Sequence, residues 1–277
     1  MALNIVVCIK PVPDPEDYGK VNIDPVTKRI VREGIPTIIN PVDKNGIEAA
    51  IQMKQTYGGK ITVITMAPPN AVDNLREALA MGADEGVLLS DRAFGGADTL
   101  ATSYTLAKGI EKLGGADIIF CGVESADGAT AQVSSQLGEW LGLPHLWNVF
   151  AIASVEERTM RVKTKIENGA FEWEIKTPCL LGVSREVNKP RFISAMGIIK
   201  AKNKPICIWG KADLDAEEKR LGLDGSPTKA GRVFSPELKR KGEKVTGNPD
   251  QIAESLLSKL RASGISFNLE ANCGREV

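Results

Sequence analysis

Short apolar runs that alternate with amphipathic stretches of helical length constrain this chain more than any other feature. Asn4–Ile9, Ile61–Met66, Gly86–Leu89 and Asp117–Cys121 have the length and the Val/Ile/Leu content of strands buried on both faces. Between them, apolar residues recur at helical spacing: Ile47, Ala50 and Ile51 in Pro41–Tyr57, then Val72, Leu75 and Leu79 in Asn70–Ala80. A third helix is predicted over Thr99–Leu113 with Asp98 as its cap, and Gly58-Gly59, Gly82 and Gly114-Gly115 supply the stops. Repeated strand–helix units of this length imply right-handed crossovers and helices on both faces of a parallel sheet. The expected fold is therefore α/β, a Rossmann-like doubly wound parallel sheet. Ligands on such sheets collect beyond the carboxyl ends of the strands. That places candidate site residues after Cys8, Met66, Leu89 and Cys121, and at the helix start near Asn40–Asp43.

Composition excludes several function classes. Lys plus Arg and Asp plus Glu both number 35 in 277 residues, so no global field draws nucleic acid or an anionic membrane. No apolar run approaches the roughly 18 to 20 residues of a membrane span, and the start, Met1–Cys8, lacks a basic leader region. A cytoplasmic protein is expected. Cysteines at 8, 121, 179, 207 and 273 show no C-x-x-C spacing, which argues against metal and iron–sulfur centres. Cys8, Cys121, Cys179 and Cys207 lie in strand-like runs, where a thiol behaves as a small buried hydrophobe. The single histidine, His145, follows Leu143-Pro144 past a helix end, where capping or packing is expected. No nucleophile motif accompanies it, so no catalytic residue is assigned.

The segment Cys121-Gly122-Val123-Glu124-Ser125-Ala126-Asp127-Gly128-Ala129-Thr130-Ala131-Gln132-Val133 joins an apolar strand to a helix over Gln132–Leu141. Such a turn offers unpaired backbone N–H groups at a helix start, where the dipole adds partial positive charge. Gly122 and Gly128 would permit close approach and unusual dihedrals. The pattern is neither a Walker A loop nor G-x-G-x-x-G, so an anion seat is indicated and its ligand left open.

Beyond Leu146 the pattern changes. Residues 158–176 alternate in the manner of a hairpin about Asn168-Gly169. Pro11–Pro36 is too long for an ordinary connection and reads as a surface excursion. The basic run from Arg185 to Lys204 would ordinarily be a solvated face. Asp213–Asn248 is rich in Gly, Pro and charge, which suits an extended arm laid on a partner, followed by a short helix over 249–263. The expected division is a nucleotide-binding unit over 1–208 and an arm over 209–277.

Five patterns in order resemble the β subunit of electron-transfer flavoproteins: Val7-Cys8-Ile9-Lys10-Pro11-Val12; Asn40-Pro41-Val42-Asp43; Arg76 through Asp84; Gly122 through Val133; and Asn188-Lys189-Pro190-Arg191-Phe192. The likeness runs from about residue 3 to about residue 208. It implies a subunit that pairs with a larger α subunit and carries electrons between an acyl-CoA dehydrogenase or related dehydrogenase and an acceptor. In such β subunits a nucleotide pocket holds AMP in simple carriers and a second FAD in flavin-bifurcating members, where NADH is the donor. Carried over by position, the pocket comprises Cys8, Asn40 to Asp43, Met66 and Gly122 to Val133. Backbone amides around Asp127–Thr130 would receive the phosphates, with Thr130 as an added donor, Gln132 as a polar contact and Asp127 capping the helix. The small residues Gly128, Ala129 and Ala131 favour FAD over AMP. Residues 185–204 resemble the family's dehydrogenase-recognition loop, with Ala195 and Met196 as apolar anchors and Arg191 and Lys200 on the rim. Two other classes stay open: a non-redox adenine-nucleotide sensor, and a phosphate-transferring enzyme, the latter weakened by the lack of a Walker lysine.

Overall fold

A computed structural model describes residues 2–14, 16, 22–23, 30–31, 36–156, 158–229 and 242–265. The chain forms two compact units, Met1–Val233 and Phe234–Val277. In the first, the expected alternation is present: β1 (Leu3–Cys8), α1 (Pro41–Tyr57), β6 (Gly59–Met66), α2 (Val72–Met81), β7 (Glu85–Leu89), α3 (Thr99–Lys112), β8 (Ile118–Gly122) and α4 (Val133–Leu141). Asp98 caps α3 by accepting the N–H groups of Leu100 and Ala101, and Gly58, at φ 74°, follows the end of α1.

The sheet runs β11-β10-β9-β12-β8-β1-β6-β7-β13, adding β9 (His145–Glu156), β10 (Thr159–Ile166), β11 (Gly169–Lys176), β12 (Cys179–Val183) and β13 (Ile206–Trp209). From β9 to β13 along this order the pairings are parallel, while β10 pairs antiparallel with both β9 and β11. Along β1, Ile5 and Val7 join α1 and α2 in one buried cluster, and Val6 and Cys8 join α3 and α4 in the other. That alternation is the period of a strand with helices packed on both faces. The chain moves outward from β1 through β6 to β7, then returns to place β8 on β1's other side. The strand order therefore reverses at β1 and β8, and the crevice beyond their carboxyl ends is where a doubly wound sheet receives a ligand.

Several local expectations are corrected. The hairpin turn is Glu167-Asn168, because Ile166 pairs directly with Gly169. Gly169 carries the positive φ, 155°, where the absence of a Cβ removes the penalty. Cys207 is exposed, since β13 is an edge strand with one neighbour; Cys8, Cys121 and Cys179 are buried, and Cys273 lies outside the described residues. Within Pro11–Pro36, β2 (Pro11–Pro13) pairs with β5 (Thr37–Ile39), β3 (Asn22–Ile23) pairs with β4 (Ile30–Val31), and the rest from 17 to 35 lies outside the described residues. The excursion is thus tied at its base, with Val12 and Ile39 fully buried.

Residues 209–229 run along α3 of the first unit. Leu214 and Leu221 are buried beside Tyr104, whose hydroxyl accepts the Glu217 N–H at 2.9 Å, and Asp98 accepts the Thr228 N–H at 3.0 Å. In the second unit, α6 (Pro249–Ala262) begins with an Asn248–Gln251 capping box and shows Ile252 and Leu256 on an exposed stripe. Among the described residues, no helix is long and apolar enough to cross a membrane.

Candidate functional site

The crevice is built from three chain segments that hydrogen bonds lock together. Lys10, just past β1, donates its N–H to Asp43 Oδ2 at 2.7 Å, and its carbonyl accepts the Asn40 N–H at 2.9 Å. Asn40 directs one amide hydrogen to Asp43 Oδ1 at 2.9 Å and another to the Glu124 carbonyl at 2.8 Å, while its Oδ1 accepts the Ala126 N–H at 3.1 Å. A single buried asparagine therefore joins the start of α1 to the loop after β8. Pro41 fits this helix start because the first helical turn leaves its N–H positions unpaired in any case. Val42 is buried beneath it.

Asp43 sits at the centre of this lattice, buried, in the first turn of α1. Burial pushes its carboxyl up to about 7, against the hydrogen bonds from Asn40, Lys10 and Gly122 and the charge of Lys10, which pull it down. Gly122 is small for this reason: a Cβ there would stand 2.2 Å from Asp43 Oδ1. Cys121, next in line, is buried, and its hydrogen bond with Cys8 and its burial raise its thiol pKa, so it is a packing residue and a poor nucleophile.

The loop itself differs from expectation in two respects. Its left-handed residues are alanines, Ala129 at φ 47° and Ala131 at φ 54°, whereas Gly122 and Gly128 have no such angle. Non-glycine residues in that region each cost on the order of 1–3 kcal/mol and collect at functional sites. Second, the cap position of α4 is Gln132. Asp127 instead lies 2.5 Å from Lys10 Nζ, which also donates to Ser125 Oγ at 3.1 Å. The Gln132 Oε1 accepts from Thr99 Oγ1 at 2.9 Å, bringing the start of α3 to the loop. Gly128 and Thr130 are exposed, Val123 donates its N–H to the Val183 carbonyl at 3.0 Å, and Val133 opens α4.

The structure thus brings together Cys8, Asn40–Asp43 and Gly122–Val133. Met66 ends β6, the strand beside β1, and packs against the same buried cluster as Cys8. Lys10 and Thr99 are additions: Lys10 stands within the first quoted pattern, but only the folded chain sets it against Asp127. Thr65, Ser134 and Gln136 each bury a side-chain oxygen with no hydrogen-bond partner. Two of these lie in α4, and the Ser134 hydroxyl packs against Gly182 of β12.

The second group of candidates lies elsewhere, along α1 and α2. Arg191 meets Glu48, a carboxylate almost wholly buried, at 2.7 and 3.0 Å, so its guanidinium anchors the segment. Asn45 clasps the Asn188 carbonyl at 2.8 Å. From there the chain enters α5 (Ala195–Ala201), capped by Ser194. Arg76 donates to the carbonyls of Ala201 and Lys204 at 2.7 and 2.6 Å, and a Cβ on Gly197 would fall 2.5 Å from the Ala80 carbonyl oxygen. Held this close to α2, α5 turns Ala195, Met196, Ile198, Ile199 and Lys200 outward, beside a fully exposed Phe192.

A family model described as the electron transfer flavoprotein domain matches residues 27–214. The electron transfer flavoprotein subunit β of Clostridium acetobutylicum is 47% identical over 259 residues, covering 94% of this chain and 98% of the relative. The caffeyl-CoA reductase–Etf complex subunit CarD of Acetobacterium woodii is 45% identical over 265 residues, covering 95% and 100%. Protein FixA of Azorhizobium caulinodans is 42% identical over 251 residues, covering 88% of each. With a domain match over most of its length and relatives of this similarity aligned nearly end to end, the chain belongs to the electron transfer flavoprotein β-subunit family.

Proposed function

We propose that this chain pairs with an electron-transfer flavoprotein α subunit, carries electrons between a dehydrogenase and an acceptor, and holds FAD in its own crevice as a flavin-bifurcating member with NADH as donor. The observation that carries this reading is the loop at the β1/β8 reversal, where Ala129 and Ala131 adopt strained left-handed angles among small residues. Strain of this kind persists where surrounding structure over-determines it, here through Asn40 and Lys10. The residues present fit a nucleotide. Loop amides around Asp127–Thr130 lie ahead of α4, and small side chains at 128, 129 and 131 leave room for a pyrophosphate.

Bound flavin would supply hydride and electron transfer, chemistry that protein side chains lack. The chain's own part is binding, orientation and tuning of charge. No general acid or base is assigned. Heat release of nucleotide from the purified αβ complex, followed by chromatography, is expected to give FAD in excess of the one flavin that an α subunit alone would account for. AMP with a single flavin would replace the bifurcating reading by that of a simple carrier, and absence of any flavin would leave a nucleotide sensor.

The exposed apolar face of α5 supports a docking role for Ala195 and Met196 toward an acyl-CoA dehydrogenase or a related enzyme, with Lys200 on its rim. Apolar anchors of this kind carry much of an interface's energy, while rim charge governs association rate. Ala195→Asp is expected to cut electron transfer with the dehydrogenase by roughly tenfold or more while the heterodimer remains intact on gel filtration. Unchanged transfer would remove the assignment.

A further inference from the structure

A cavity apart from the crevice lies on the same carboxyl-end surface of the sheet, where ligands of parallel sheets collect. Residues 185–190 follow the carboxyl end of β12 and turn across the start of α1, framing about 390 Å³ between them. That volume falls in the range of about 300–1,000 Å³ usual for small-molecule sites. Pro41 and Pro190 give it apolar walls, and its cations are Lys44 from α1 and Arg185 and Lys189 from the turn. No carboxylate stands among the lining residues.

Contacts that leave these cations unused hold the cavity in shape. The buried Asn45 donates to the Asn188 carbonyl at 2.8 Å, and Asn188 returns its own amide hydrogen to the Asn45 carbonyl at 3.0 Å. The acids on the bordering segments are engaged elsewhere, Glu186 with Lys165 and Glu48 with Arg191, each at 2.7 Å. Glu77 takes part of the charge of Lys44, at 2.7 Å. Arg185 and Lys189 are exposed and, among the described residues, form no ion pair. The surplus positive charge is therefore theirs. Two cations on one short turn, faced by a third on a helix, suit adjoining phosphate groups better than a single carboxylate.

We propose that this cavity is a second anion-binding site, separate from the loop after β8, which takes the diphosphate of a soluble ester of nucleotide size. Arg185 and Lys189 are its phosphate-binding residues, and Lys44 is a supporting charge. The planar guanidinium of Arg185 matches paired phosphate oxygens, whereas the Lys189 ammonium acts as a point charge. The site stands whatever the loop after β8 holds.

The test is calorimetric titration of ADP into the full chain paired with its α subunit, with any co-purified nucleotide left in place. Binding is expected, and it should weaken as salt is raised because the cations are exposed. Arg185→Gln with Lys189→Gln should weaken it by roughly tenfold or more, whereas Arg185→Lys with Lys189→Arg should keep it within about threefold. Since both side chains are exposed, neither double variant should shift the urea midpoint. Lys108→Gln with Lys219→Gln removes two charges on the α3 side of the sheet, opposite α1, and should leave ADP binding unchanged. Inorganic phosphate should bind about tenfold or more weakly than ADP. Absence of ADP binding would overturn the proposal, as would binding that the Arg185 and Lys189 variant leaves intact or that the α3-side variant weakens equally. Release of the co-purified nucleotide by ADP would place ADP in the crevice and overturn the second site. Phosphate binding as tight as that of ADP would overturn the diphosphate assignment.

Discussion

Asp43→Ala is expected to lower the stability of the chain by about 3 kcal/mol or more, and to abolish retention of the nucleotide proposed for the crevice, because it strands several donors at once. The Lys10 N–H, the Asn40 amide and the Gly122 N–H all converge on this carboxylate. Asn40 also holds Glu124 and Ala126, so its loss of register would free the loop from the start of α1. Urea unfolding of the natural chain and the variant checks the energy, and chromatography of released nucleotide checks the binding. A midpoint unchanged in urea would mean that water fills the vacated space and satisfies the donors.

The same carboxylate carries a pH signature. Its folded pKa of about 7 stands above the ordinary 3.8, so the folded chain holds a proton that the unfolded chain releases between those values. The associated stability is whole below pH 3.8 and is lost as pH rises toward about 7. Asp43→Asn cannot titrate, so its stability should fall less over that interval than that of the natural chain. A parallel fall in both proteins would place the titration elsewhere.

Gly122→Ala is the other large effect expected. One methyl group would meet Asp43 Oδ1 at 2.2 Å and the backbone nitrogen of Asp43 at 3.3 Å, in a place where the carboxylate is itself held by hydrogen bonds. A cost of about 3 kcal/mol is expected from overpacking at such a site, with loss of the nucleotide proposed for the crevice. Gly128→Ala provides the contrast: its Cβ would face the Ser125 hydroxyl at 3.2 Å, a side-chain end held by one hydrogen bond from the half-exposed Lys10 and not by backbone, so about 1 kcal/mol or less is expected. Placing Gly122→Ala in an Asp43→Ala background should cost less than in the natural chain, because the atom it strikes is gone. Strict additivity of the two would show that Gly122 is small for some other reason.

The local grammar of this fold was legible in the chain. α1 begins and ends at the residues its apolar spacing and flanking glycines mark, and Asp98 caps α3. These features depend on residues within a few positions of one another, which is why a sequence displays them. The loops beyond the strand ends were legible too, since that placement follows from parallel alternation alone. β9 was harder to see: its twelve residues carry no clean period because its first part pairs parallel with β12 and its later part antiparallel with β10, the two meeting at Val149, and the register slips near Asn148, at φ 60°.

What the sequence determined by itself is the alternation of strand and helix from β1 to α4, the cap of α3 and the stop of α1, and the family to which the motifs belong. What only the tertiary structure decided is which of those motifs meet. Lys10 and Asp127 stand 117 positions apart, Arg191 and Glu48 stand 143 apart, and nothing local in either member reveals its partner. Glycine at 122 announced a close approach, yet only the folded sheet shows that Asp43 fills the space and that burial raises its pKa. The division has a physical origin: periodicity and capping are short-range properties of the backbone, whereas burial, charge pairing and desolvation arise when distant segments exclude water together.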